Sequence, residues 1–283
     1  MAISGKTQVF MIVGDPVAQV RAPEVYNYLF AKHGIDAVLV PVKVPPAQLG
    51  GFVRAAFAAE NFGGFWVTIP HKAAMQALME SCDSVADVAG AVNAVRRSPS
   101  GTLEGALFDG LGFLKGLDHF GIAVEGRKVL ILGAGGGGQA VAAAVAQRGP
   151  ASIVIANRSL DKAQAIVDRL QSRFSVPVSC TTSTDPAGFD LIINCTSQGL
   201  KPGDALPTDP ARIDATAAVV DIIMTREPTP LLAACRARGI RAQAGFEMLV
   251  QQVPEYMRFF GMSDLAEALQ NDLSDVRNLL YPR

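Results

Sequence analysis

Two sets of residues in this sequence have types and spacings that chemistry can use. Gly133-x-Gly135-x-x-Gly138 sits between an apolar run and an Ala/Val-rich stretch, the setting of a turn that cradles a dinucleotide. In such a turn the first glycine permits the tight bend and the second lets backbone approach a pyrophosphate. The third lets helix and strand pack closely, and the helix N-terminus offers amides and a positive dipole end. Gly133, Ala134, Gly135, Gly136, Gly137 and Gly138 are therefore candidate cofactor contacts. The second set is Lys72, after Val67-Thr68-Ile69-Pro70-His71, and Asp109, at the end of Gly105-Ala106-Leu107-Phe108. A lysine and an aspartate brought together suit proton transfer to or from an alcohol while a hydride moves to a cofactor. Taken alone, each reads more readily as a surface charge.

The residues after the second strand of the dinucleotide unit choose the cofactor. About 20 residues beyond the fingerprint, an acidic side chain should hold a free ribose 2′-hydroxyl. Here the chain reads Asn157-Arg158-Ser159, followed by Lys162. No carboxylate is present, and two cations stand where a 2′-phosphate would lie: Arg158 as a planar fork, Lys162 as a point charge. NADP is expected over NAD.

These residues need elements to hold them. Strand and helix patterns alternate along most of the chain, which argues for parallel sheets. Strands are expected at 8–13, 37–42, 64–69, 129–132, 152–156, 191–195 and 218–223. Helices are expected at 23–32, 49–59, about 139–148 and 159–174, the last with Ser159 as N-cap. Ser98-Pro99-Ser100-Gly101 reads as a hairpin-like turn between 91–95 and 102–107. At the end, Leu265, Leu269, Leu273, Val276 and Leu280 recur at helical spacing over 263–280.

Composition agrees with an α/β enzyme of about two domains. The 283 residues are 49% hydrophobic and 18% charged, with 27 glycines, which excludes disorder and coiled coil. A net charge of −1 invites neither nucleic acid nor an anionic membrane. The uncharged stretch 129–147 is about as long as a membrane span, but its glycine block reads as strand, turn and helix. No signal peptide is visible, and the four cysteines and three histidines show no metal spacing, so a cytoplasmic protein with reduced thiols and no metal is expected.

Nearly end to end, the chain resembles the shikimate dehydrogenase family. The resemblance rests on Gly14-Asp15-Pro16, Val67-Thr68-Ile69-Pro70 through Lys72, Gly90-Ala91-Val92-Asn93, Asp109-Gly110 and Gly133-Ala134-Gly135-Gly136. It continues through Asn157-Arg158-Ser159, Asn194-Cys195-Thr196-Ser197 and Met248-Leu249-Val250 to Gln252. It implies an N-terminal α/β catalytic domain completed by C-terminal helices (1–107 with 245–283) and a Rossmann NADP-binding domain (108–244). It implies Lys72 and Asp109 as the catalytic pair, and Thr68, Asn93 and Gln252 as substrate contacts. Thr196, Ile222 and Gly245 join the glycine turn, Asn157, Arg158, Ser159 and Lys162 as cofactor contacts. The implied activity interconverts a cyclic hydroxy acid and its ketone, as in aromatic amino acid biosynthesis, in a monomer or homodimer.

The departures gather at the substrate end. The family's Ser-x-Ser-Pro, whose hydroxyls hold the substrate carboxylate, is Val20-Arg21-Ala22-Pro23 here, and its Asn-Val-Thr is Trp66-Val67-Thr68. The family's Asn-Thr-Asp is Leu107-Phe108-Asp109, and a tyrosine after a later aspartate is matched by Met224. The resemblance therefore implies that Val20, Ala22 and Met224 line an altered substrate pocket. Arg21 either replaces the serines as a cation or faces solvent; His71 reads as structural, and Trp66 as core filler or pocket wall. Shikimate or quinate is the default substrate, with another hydroxy compound the alternative. The rivals are a non-catalytic NADP-binding regulatory paralogue and another Rossmann enzyme resembling methylene-tetrahydrofolate dehydrogenase.

Overall fold

The computed structural model describes residues 3–201, 203–225 and 227–281. The chain divides into two compact units, one running to Phe108 and resuming at Gln252–Leu280, the other formed chiefly by Asp109–Gln251. The first contains β1 (Gln8–Gly14), α1 (Ala22–Lys32), β2 (Ala37–Lys43), α2 (Leu49–Ala56) and β3 (Phe62–Val67). These are followed by α3 (Lys72–Gln76), β4 (Ser81–Cys82), α4 (Ser84–Ala89), β5 (Ala94–Arg97) and β6 (Leu103–Ala106). Its sheet has the order β2-β1-β3-β5-β6-β4.

This sheet is mixed, where alternation alone predicts a parallel one. β1 runs parallel to β2 and β3, but β5 runs antiparallel to both β3 and β6. The turn at Ser98–Gly101 is the reason. Thr102 O accepts from Ser98 N at 2.8 Å and Gly101 N donates to Ser98 O at 2.9 Å, and so short a connection can join only antiparallel strands.

The second unit contains α5 (Asp109–His119), β7 (Lys128–Leu132), α6 (Gly136–Gln147), β8 (Ser152–Ala156), α7 (Leu160–Gln171) and β9 (Val178–Thr181). It continues with β10 (Leu191–Asn194), β11 (Ala218–Asp221), α8 (Pro230–Ala237), β12 (Arg241–Ala244) and α9 (Phe246–Gln251). All six strands are parallel, in the order β12-β11-β10-β7-β8-β9. This is the doubly wound dinucleotide-binding order, and its direction reverses between β7 and β10. Val129, Leu130, Ile131, Leu132, Ile192 and Ile193 are buried, because strands covered on both faces must be apolar throughout.

Residues 245–251 fall in this second unit, beyond the boundary at 244 expected from the resemblance. Gly116 on α5 lets α9 lie close, since a Cβ there would meet Glu247 Cβ at 3.4 Å. The chain then supplies α10 (Val253–Phe259), α11 (Ser263–Asn271) and α12 (Ser274–Leu280) to the first unit. The single helix expected over 263–280 is two. Asp272 is extended, and its carboxylate accepts from Ser274 N at 2.8 Å, starting the second helix. The five periodic apolar residues are nonetheless all buried.

Trp66 is core rather than pocket wall in the first unit, only 2% exposed. Its ring stacks on Tyr256 (5.2 Å between centroids) and Phe260 (4.3 Å), with Phe10 and Tyr26 edge-on. Among the described residues no helix is long and apolar enough to cross a membrane.

Candidate active site

The glycine turn of the second unit has the backbone a dinucleotide requires. Gly133 lies at φ 102°, a conformation that L side chains rarely adopt. A Cβ at Gly138 would sit 2.1 Å from the Gly133 carbonyl oxygen, whereas a Cβ at Gly135 would meet nothing within 4 Å. The turn is thus closed toward the strand and open on the ligand side. Gly135 is the N-cap of α6, so the free amides of that helix end face the open side.

Beside it lies a cleft of roughly 540 Å³ lined by Ala134, Gly135, Asn157, Arg158, Ser159 and Lys162. Asn157 builds the cleft: its Oδ1 accepts from Ala134 N at 3.2 Å, and its Nδ2 donates to Ser159 O at 2.8 Å. Ser159 occupies the N-cap position of α7, as expected, but its side chain makes no capping bond. Arg158 and Lys162 are exposed and have no hydrogen-bond or ion-pair partner among the described residues. An open glycine turn, two unengaged cations and no carboxylate in the lining fit a phosphorylated dinucleotide.

The ends of β10 and β11 carry the rest of the expected cofactor set. Thr196 donates its hydroxyl to Asn194 Oδ1 at 2.7 Å and accepts from Gln198 N at 3.0 Å, so its side chain shapes its own loop. Ile222 bridges the unit: a Cβ at Gly137 would meet its Cδ1 at 2.8 Å, and a Cβ at Gly245 its Cα at 2.7 Å. Met224 is half-buried in the loop that follows. Burial, and after it the Asp221 charge, push the Cys195 thiol up from its ordinary value, which disfavours the reactive thiolate.

A buried network here escaped the sequence reading. Asn194 Nδ2 donates to Asp221 Oδ1 at 3.1 Å, and Thr229 Oγ1 donates to Asp221 Oδ2 at 2.8 Å. The available signal was an aspartate closing the otherwise apolar strand Ala218–Asp221.

In the first unit three expected substrate contacts are tied together. Asn93, 1% exposed, donates from Nδ2 to Gln252 Oε1 at 3.2 Å and accepts at Oδ1 from Phe108 N at 2.9 Å. The Asn93 carbonyl accepts from Val67 N at 2.7 Å, one residue before Thr68, and from the Tyr256 hydroxyl at 3.1 Å. Gln252 Nε2 has no partner among the described residues, leaving two donors for a ligand. Gly14 lets β1 run against Thr68, for a Cβ there would lie 2.4 Å from Thr68 Cγ2.

Lys72 opens α3 with its side chain half-buried, and its carbonyl accepts from Val92 N at 3.1 Å, next to Asn93. His71 is structural: it is buried, with Nε2 2.7 Å from the Val44 carbonyl. Asp109, 6% exposed, is the first residue of α5 in the second unit. It directly follows Phe108, the residue Asn93 holds. Among the described residues no group of three or more His, Cys, Asp and Glu converges as for a metal.

Val20 is half-buried and Ala22 buried, and neither carries a donor. Arg21 between them is engaged elsewhere. It donates to the carbonyls of Leu279 and Leu280, both at 2.7 Å, and to Glu24 at 2.9 Å. The guanidinium thus caps the C-terminal end of α12, where a cation also meets the favourable dipole end. Arg21→Ala is therefore expected to lower stability by roughly 1–2 kcal/mol, since the bonds are charge-assisted but partly solvated. Urea unfolding measures it; an unchanged midpoint would contradict the capping role.

The comparisons with known proteins point one way. The family model for the shikimate dehydrogenase substrate-binding domain matches residues 12–95, and that for shikimate/quinate 5-dehydrogenase matches residues 117–202. Shikimate dehydrogenase (NADP(+)) from Mesorhizobium japonicum is 38% identical over 259 residues, 90% of this chain and 91% of the relative. The crystal structure of shikimate dehydrogenase from Aquifex aeolicus superimposes with a TM-score of 0.83 at 29% identity, covering 96% of this chain and 100% of that one. A 5-ketofructose reductase from a Gluconobacter species gives 0.80 at 28% identity, covering 95% and 99%.

Proposed function

The chain belongs to the shikimate dehydrogenase family, and from that premise we propose an NADP-dependent oxidoreductase that interconverts a cyclic hydroxy acid of the shikimate or quinate type, or a related alcohol, with its ketone. The observation that carries this is the open glycine turn beside Arg158 and Lys162 with no acidic side chain in the cleft. The second unit binds the dinucleotide through the glycine turn, Asn157, Arg158, Ser159 and Lys162, with Thr196, Ile222 and Gly245 toward its other end. When bound, the nicotinamide supplies the hydride acceptor or donor.

The remaining steps fall to side chains. Lys72 Nζ takes the proton from the reacting hydroxyl during oxidation and returns it during reduction. Asp109 offsets the positive charge that Lys72 gains on taking that proton. Thr68, Asn93 and Gln252 orient the ring, with Gln252 Nε2 supplying donors. Relatives named for shikimate dehydrogenase over nine-tenths of the chain favour neither a sensor without catalysis nor a folate-type dehydrogenase.

A second substrate reading, an uncharged hydroxy ketone, is favoured by the donor-free side chains at Val20 and Ala22, and one structural relative is named as a 5-ketofructose reductase. A panel of cyclic hydroxy acids and neutral polyols, with NADP and NAD, read at the nicotinamide absorbance, separates the two.

The cofactor choice has its own test. Arg158→Ala is expected to weaken NADP binding about 10- to 100-fold, the range for one charge-assisted contact to phosphate, and to leave NAD nearly unchanged. Fluorescence titration measures both. Equal affinity of the unaltered protein for the two cofactors would refute the assignment.

A further inference from the structure

The carboxylate of Asp221 has no task in the chemistry above. It closes β11 with no solvent exposure, and its partners are all neutral. Oδ1 accepts from Asn194 Nδ2 at 3.1 Å and Ile223 N at 3.0 Å, and Oδ2 accepts from Thr229 Oγ1 at 2.8 Å. Among the described residues no cation pairs with it. Burial raises its pKa from the ordinary carboxylate value, and the three donors oppose that rise. A buried carboxylate without a cation is expensive, and an asparagine could tie the same loop without the charge.

Topology says what the charge faces. This assignment rests on the dinucleotide reading of the second unit. If the adenosine half lies by Arg158, after β8, the nicotinamide half crosses the glycine turn to the other side of the switch point, toward the ends of β10, β11 and β12. Asp221 ends β11, and Ile222, the next residue, touches both Gly137 of the turn and Gly245 after β12. The two redox forms of the dinucleotide share their phosphates and riboses. Only the ring differs in charge, cationic when oxidised and neutral when reduced.

We propose that Asp221 is an electrostatic selector that favours the oxidised over the reduced dinucleotide. A negative charge in a low-dielectric wall attracts the cationic ring and is indifferent to the neutral one, while it repels the phosphates of both forms alike. The selectivity therefore resides in the ratio of the two affinities, not in either alone.

Asp221→Asn keeps the size and the two bonds accepted at Oδ1, and removes the charge together with the acceptor for Thr229. Dissociation constants for NADP+ and NADPH are measured calorimetrically without substrate. Preference for the oxidised form is expected to fall about 3- to 20-fold, as for one unit charge felt through an effective dielectric of about 20. Thr229→Val, which loosens the same loop and keeps the charge, is expected to change both affinities together and leave their ratio unchanged. An unchanged ratio in Asp221→Asn, or the same shift in Thr229→Val, overturns the selector. Should Asp221→Asn not fold, Asp221→Ser is the second neutral variant. Tighter binding of NADPH than of NADP+ by the unaltered protein overturns the selector by itself. If the unaltered protein binds neither form, the dinucleotide reading fails, and the selector with it.

Discussion

Lys72→Ala is expected to lower turnover about 10²–10⁴-fold, the range for removing a general acid or base. The loss should appear in kcat and kcat/KM alike, because the proton is transferred only in the transition state. NADP affinity should barely change, since the glycine turn, Asn157 and Arg158 belong to the second unit and Lys72 to the first. Folding should also survive. The Lys72 backbone carbonyl accepts from Val92 N, and alanine retains that bond. Steady-state rates with an active hydroxy substrate and a cofactor titration check both halves. Unimpaired turnover would remove Lys72 from the mechanism, and impaired cofactor binding with normal turnover would assign it elsewhere.

Shikimate is expected to be a poor substrate until the serines are restored. Loss of two donors to a partly desolvated carboxylate costs roughly 2–5 kcal/mol, or about 30- to 3,000-fold in kcat/KM. Val20→Ser combined with Ala22→Ser is therefore expected to raise shikimate oxidation within that range. Arg21 does not offset the loss, because its guanidinium is held by Glu24 and the carbonyls of Leu279 and Leu280. Arg21→Ala should accordingly leave the KM for shikimate unchanged while it destabilises the fold. Efficient shikimate oxidation by the unaltered protein, with no gain from the two serines, would mean that other residues fix the carboxylate.

Local chemistry was legible in the sequence; its partners across the chain were not. The tight bend at Gly133 and the close approach at Gly138 follow from which residues fit them, and the turn at Ser98–Gly101 was readable from its proline, serines and glycine. Arg21 shows the opposite case. Its partners are 258 and 259 positions away, and no short-range pattern encodes them. The turn at Ser98–Gly101 implies one antiparallel pair, β5 with β6; the alternation of strands and helices does not record that β5 also runs antiparallel to β3. Asp272 breaks the last helix although apolar spacing runs straight through it, since periodicity senses the buried face and not the backbone. Asp221 falls inside the expected strand 218–223, but nothing in the apolar spacing tells of the three donors its carboxylate meets.

The split first unit constrains the order in which the protein can be made. The ribosome releases β1–β6 first, and the helices that belong with them begin only at Gln252, after the whole of Asp109–Gln251 has emerged. That interval is 143 residues, or roughly 7–30 s at ordinary elongation rates. Throughout it the indole of Trp66 lacks Tyr256 and Phe260, the two rings on which it stacks. The second unit, nearly continuous in the chain, can close while the first waits with an aromatic face uncovered. Holding that face soluble until α10 arrives is a task for the nascent chain and its chaperones, and a stop codon shortly before Gln252 would leave it uncovered for good.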